Sequence, residues 1–467
     1  MPLSPPSVDE VISEAAFARC LPDDTERLRQ EREDIEKAAK LAITTMALKP
    51  TAYRQHIAQI RNFLSVLWRK YDCEDLMEVV SAYTRVEPIL LDLERDEASG
   101  YRYRDHSVHS FNVFLFGLRL LGKVVDTVGD DAAQVILKVK PERINDKIPR
   151  FRNWSYGERL FYLWTLMSTF HDIAIPLEHL GRVESGLNDF AKKLGLEIVG
   201  PSLRLDALYP ALDWYLQRLA TLFAGELRQD EEGLEYDDTR DDIYVETYLR
   251  KKLQQRDHGV LSGLLLYRKI EEIFFLLRGK AKDAFGSSAD FAHYHHYVLQ
   301  QDVARASLAI SLHNLELETG GAPLFLPIRF ENYPLAFILI LSDGLQEYLR
   351  WEGTSIEGAT KFCCFPSLHL SREGDGLQLE VGFFLTGADA EKEYLRQQAG
   401  IMAARRGMDL GDKPGVPIAA AFLLESLYTE LECRIDLKAD FKVVLKIFQL
   451  GGLLARYPEE GRCGSAT

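Results

Sequence analysis

Apolar residues recur every three or four positions through most of this chain, and that 3.6-residue period restricts it to a predominantly helical fold. Near the N-terminus Ile57, Ile60, Phe63, Leu64 and Leu67 form one such stripe, within a helix expected over 53–71. The charged, Ala-rich residues 24–48 and residues 74–93 read as helices on either side. Further stripes predict helices over 105–125, 156–172, 211–227, 244–255, 260–277, 290–317 and 333–351, with the acid-rich 228–242 as an exposed loop. After Gly353 the texture changes. Residues 366–370 and 377–385 flank Gly374–Asp375–Gly376 and read as a hairpin. Helices over 388–405 and 419–432 and a strand over 441–448 complete the pattern. The expected fold class is therefore mainly α, with N-terminal helices over 1–100, a helical bundle over 101–355 and a small α+β unit over 356–467.

Hydrophobic residues at 46% and charged residues at 27% supply an ordinary globular interior. A net charge of -15 repels polyanions at long range, so general nucleic-acid binding is disfavoured. The six cysteines show no CxxC spacing and read as reduced packing residues, with the adjacent Cys363–Cys364 as the one redox alternative. The N-terminus lacks a basic region followed by an apolar run, and no stretch reads as a bilayer span, the most apolar run being Pro334 to Leu341. A cytoplasmic protein with no membrane partner is expected.

The residues that carry chemistry sit on the apolar stripes. His171–Asp172 closes one apolar helix, delivering an imidazole and a carboxylate side by side. His109 shares a face with Val113, Phe116 and Leu120, and with His106 one turn earlier. His258 opens one apolar segment and His313 lies on another. Asp343 ends the run Leu339 to Ser342, before Gly344. Taken alone, each histidine reads first as a satisfied core or capping residue, and Asp343 as a helix cap or turn residue. Together they are several ionisable groups aimed at one helical interior, which is destabilising unless they share a cation.

The order His109, His171–Asp172, Asp343 resembles the HD superfamily of metal-dependent phosphohydrolases, whose signature is a His, a His-Asp pair and a distant Asp. His109 with Ser110 and Val113 is similar to that family's first metal helix, and the string Arg104-Asp105-His106-x-x-His109 to HD domains of bacterial conflict-system proteins. His258 and His313 fall where two-metal members, such as cyclic-dinucleotide phosphodiesterases, carry extra histidines. The resemblance spans about residues 101–353.

It implies an HD-type helical bundle holding one or two divalent ions: manganese, iron, zinc or magnesium. The first ion would take His109, His171, Asp172 and Asp343, and the second Asp172, His258 and His313. It further implies phosphoester hydrolysis by a metal-activated hydroxide, with Asp172 catalytic and His106 or Asp105 protonating the leaving oxygen. Arg104, Lys147 and Arg150 are the candidates for gripping phosphate; the last two lie in a basic stretch, 138–152, whose default reading by itself is a solvated loop. The sequence departs from cyclic-nucleotide phosphodiesterases, which carry His-Asn-x-x-His where this chain has Asp105 and His106. The lysine that follows the pair in cyclic-di-guanylate enzymes is replaced by Ile173, which argues against that substrate. The expected partner is a small phosphate ester of nucleotide type, with a homo-oligomer left open. The alternatives are a metal nuclease on single-stranded nucleic acid and a non-catalytic HD sensor or scaffold module.

Overall fold

The computed structural model describes residues 5–15, 17–21, 25–48, 53–71, 73–93, 106–129, 132–137, 155–178, 212–227, 238–284, 302–314, 328–347, 365–374, 376–385, 389–411, 414–438, 440–449 and 452–458. The fold is mainly α with an α+β unit at the C-terminus. The N-terminal helices are α1 (Val8–Glu14), α2 (Phe17–Cys20), α3 (Glu26–Leu48), α4 (Tyr53–Lys70) and α5 (Leu76–Leu93). The central helices are α6 (His106–Val128), α7 (Ala132–Leu137), α8 (Tyr156–Phe170), α9 (Leu212–Leu227), α10 (Asp238–Gln254), α11 (His258–Ala284), α12 (Ala304–His313) and α13 (Pro334–Glu347). The C-terminal unit runs β1 (Ser367–Glu373), β2 (Gly376–Leu385), α14 (Asp389–Arg405), α15 (Val416–Glu432), β3 (Phe441–Gln449) and β4 (Gly452–Tyr457).

Local chemistry explains where these elements start. Ser7 and Glu10 form a reciprocal capping box at α1. Ser155 accepts from the Glu158 amide at the start of α8, and Asp257 accepts from the Val260 amide at the start of α11. Helix α10 begins at Asp238, inside the stretch expected to be a loop. Four elements escaped the sequence reading: α1, the four-residue α2, α7 and the edge strand β4, which is six residues long and begins on a glycine.

The sheet order is β1-β2-β3-β4. The expected hairpin is present, with Leu370 opposite Leu379 in antiparallel register. Strand β3 instead pairs parallel to β2, with Leu379 beside Val443. A parallel neighbour needs a long crossover, and α14 and α15 supply it. The unit is joined to the helical body by a parallel bridge between Ile328 and Ile435, and by Arg372, whose guanidinium donates to the carbonyls of Thr127 and Val128 at the end of α6.

The buried residues form one continuous cluster through all three regions. Phe17 and Phe63 of the N-terminal helices pack on Phe114 of α6, and Tyr71 packs on Phe161 of α8. The division at residues 100 and 355 is thus a proposal about sequence organisation, and the packed interior crosses both points. Residues Ser107–Val128 are long and apolar enough to cross a membrane, contrary to the sequence expectation that no stretch is. Burial accounts for this composition, since 78% of the apolar window lies inside the protein.

Two glycines allow the close helix approaches on which the interior depends. At Gly117 an added Cβ would lie 1.8 Å from the Trp164 ring, whose indole Nε1 donates to the Phe114 carbonyl at 2.9 Å. At Gly263 it would lie 2.5 Å from the Ser307 carbonyl oxygen and 2.5 Å from Ser311 Oγ. The first contact seats α6 on α8 and the second seats α11 on α12. Gly117→Ala is expected to lower stability by about 1–3 kcal/mol through overpacking, read as a fall in the urea midpoint at unchanged slope. An unchanged midpoint would show that α6 and α8 can separate freely.

Candidate metal centre

Four helices deliver histidines to one point, and the ends of helices explain how. His171 caps the C-terminus of α8 and His313 is the last residue of α12. Carbonyls in a final helical turn have no intrahelical partner. Each imidazole meets one of them: His171 Nδ1 is 3.0 Å from the Ser168 oxygen and His313 Nδ1 is 2.5 Å from the Ile310 oxygen. Both rings therefore carry the proton on Nδ1 and turn Nε2 inward. His109 comes from the first turns of α6 and His258 from the first residue of α11.

Asp343 was open to reading as a cap or turn residue, but α13 continues through Gly344 to Glu347. An aspartate inside a helix as apolar as this one is placed for its carboxylate, not for a cap.

The six side chains form two adjoining groups: His109, His171 and Asp343 in one, and Asp172, His258 and His313 in the other. His109 Nε2 is 2.7 Å from Asp343 Oδ1 and 3.3 Å from His171 Nε2. Asp172 faces both groups. Its Oδ2 lies 3.4 Å from His171 Nε2 and 3.8 Å from His109 Nε2, while its Oδ1 lies 3.5 Å from His313 Nε2 and 3.7 Å from His258 Nε2. Either group could hold a metal ion.

The distances and the polarity both suit a cation. Ligand atoms about 2.1 Å from one ion stand roughly 3.0–3.4 Å apart in octahedral or tetrahedral geometry, which is the scale of the separations here. With Nδ1 protonated, His171 aims a lone pair at His109 Nε2, a repulsive contact unless a proton or metal ion lies between them. The side chains of His109 and His171 are fully buried, whereas those of Asp343 and His258 are 16% and 17% exposed, so the last two rim the way in. Burial opposes the charged form of His171, but Asp172 and Asp343 beside it raise its pKa to about 9. His258 is opposed by burial in the same way and raised by Glu178, Asp172 and Asp257.

Three residues that the sequence reading passed over complete the surroundings. Glu178 Oε2 is 2.7 Å from His258 Nδ1, and Asn314 Nδ2 donates to Asp257 Oδ2 at 3.1 Å. Glu178 follows the His-Asp pair by six residues, a spacing with no chemical signature of its own. Of the other expected residues, Arg104, Asp105, Lys147, Arg150 and the basic stretch 138–152 lie outside the described residues. His106 opens α6, and its side chain also lies outside them. The Cys363–Cys364 pair does too, while Cys20 and Cys73 are buried as packing residues and Cys433 is exposed.

The raised pKa sets a pH dependence. His171 titrates near 6.5 when unfolded and near 9 when folded, so its contribution to metal-free stability is complete below about pH 6.5 and is lost as pH rises through 9. A metal ion competes with that same proton, so divalent-ion affinity is expected to rise over this interval as metal-free stability falls. Thermal melts with chelator and calorimetric Mn²⁺ titrations at pH 6.5, 7.5 and 8.5 check this; a metal affinity independent of pH would rule it out.

No family model, no curated protein and no solved structure matches this chain.

Proposed function

We propose that this protein is a metal-dependent phosphohydrolase of the HD type, acting on a small phosphate ester of nucleotide character. The observation that carries the reading is the placing of Asp172, with one oxygen towards each histidine-containing group. A carboxylate so disposed is suited to bridge two cations, and phosphoester hydrolases use such pairs. The order of residues in the chain agrees with the HD signature: His109, then His171–Asp172, then Asp343.

His109, His171, Asp172 and Asp343 would hold one ion, and Asp172, His258 and His313 a second. The mixture of imidazole nitrogens and carboxylate oxygens suits manganese, iron or zinc better than calcium. Divalent ions here would lower the pKa of water towards neutrality and offset charge on phosphoryl oxygens. The chain's own contribution is to fix the donors. Backbone carbonyls lock the rings of His171 and His313, and the apolar walls of α6, α8 and α13 exclude bulk water. Asp343 and His258 mark the open side, from which an ester would approach. The net charge of -15 counts against a polynucleotide and in favour of a small substrate, because long-range repulsion grows with the number of phosphates.

Asp172→Ala separates this reading from a purely structural cluster. Wild-type protein is expected to retain divalent metal through dialysis and to hydrolyse members of a panel of mononucleotides, cyclic nucleotides and dinucleotides. The variant is expected to lose most of that metal and at least about a hundredfold in turnover, the scale of removing an interaction made in the transition state. Equal metal content in the two proteins would sink the proposal, whatever the hydrolysis shows.

A further inference from the structure

The four histidines of the centre are not held alike. His171 and His313 end their helices and use a carbonyl one turn back as acceptor. His109 Nδ1 is buried with no hydrogen-bond partner among the described residues. His258 is the first residue of α11, with Asp257 as its N-cap, so no helical carbonyl lies one turn behind it. The chain between α10 and α11 turns sharply there, with Arg256 at φ 58°. A side chain must supply the acceptor instead. Glu178 does so from residues just beyond α8, with Oε2 2.7 Å from His258 Nδ1.

We infer that Glu178 is a positioning residue for the half of the centre formed by Asp172, His258 and His313, and that it sets the affinity of that half for its ion separately from the other half. The inference rests on the metal reading above. The carboxylate accepts the Nδ1 proton of His258, which leaves the Nε2 lone pair facing Asp172 Oδ1 at 3.7 Å. It also makes the imidazole a more basic ligand, as carboxylate–histidine–metal arrangements do. Glu178 brings a second carboxylate to a half that otherwise holds two imidazole rings and one arm of a shared aspartate. The His109–His171–Asp343 half has its own carboxylate in Asp343, with Oδ1 2.7 Å from His109 Nε2.

Glu178→Gln keeps the shape and an oxygen acceptor but removes the charge, and Glu178→Ala removes both. Mn²⁺ titrations by calorimetry, with bound metal counted by elemental analysis, read the two halves as separate binding classes. Wild type is expected to take up two ions. Affinity for the weaker class is expected to fall in the order Glu, Gln, Ala, by about 10- to 100-fold overall, while the tighter class moves less than about threefold. Glu178 is partly exposed, and unchanged circular dichroism would exclude general unfolding. Two ions bound with wild-type affinities in both variants would overturn the inference and leave the metal reading standing. Equal weakening of both classes would also overturn it, as would a wild type that takes up one ion only. A wild type that binds none would overturn both readings.

Discussion

A buried carboxylate surrounded by imidazole rings is the constraint around which this protein is arranged. Asp172 is 5% exposed, and its oxygens lie within 3.4–3.8 Å of four histidines. Desolvating one ionised carboxylate costs several kcal/mol unless positive charge compensates it. The rings can provide that charge as protonated imidazolium, which is the state favoured at His171 by the raised pKa, or they can yield their lone pairs to metal ions. Both states would use the same nitrogens, so metal ions would compete with protons at this cluster.

A metal ion held here would require a stiff framework, because ligand geometry tolerates errors of only a few tenths of an ångström. Stiffness comes from places where no side chain intervenes. The Trp164 ring occupies the space a Cβ at Gly117 would fill, and the Ser307 carbonyl and Ser311 hydroxyl lie against Gly263. The first contact joins the helix bearing His109 to the one that ends at His171, and the second joins the helices bearing His258 and His313. Each pair of histidines is thus held by a glycine-mediated helix contact one to two turns away. Buried ion pairs support the same body from outside the centre, among them Arg159 with Asp302, where the guanidinium donates twice to one carboxylate oxygen.

The C-terminal unit reaches the centre as well. Arg434, just after α15, directs its guanidinium at the carbonyl of His313, 3.5 Å away, and its neighbour Ile435 pairs with Ile328 ahead of α13. The unit therefore connects to two of the helices that carry site residues, α12 and α13. Its β1 edge is tied to the end of a third, α6, through Arg372.

The amino-acid pattern by itself determined the longer helices, the hairpin over β1 and β2, and the set of ionisable residues on apolar stripes. Period and residue type are local properties, and strongly periodic segments such as 156–172 state them without ambiguity. It also supplied the six site residues, because an ionisable group on a core-facing stripe is conspicuous wherever its partners lie. Only the tertiary structure decided which of them meet. The split of Asp172 between two groups, the parallel pairing of β2 with β3, and the Glu178–His258 contact across 80 residues all depend on long-range packing. Glu178 had no local mark, since a glutamate two residues after a proline is ordinary in any sequence. Its role exists because His258 starts a helix and lacks the carbonyl that His171 and His313 find at the ends of theirs.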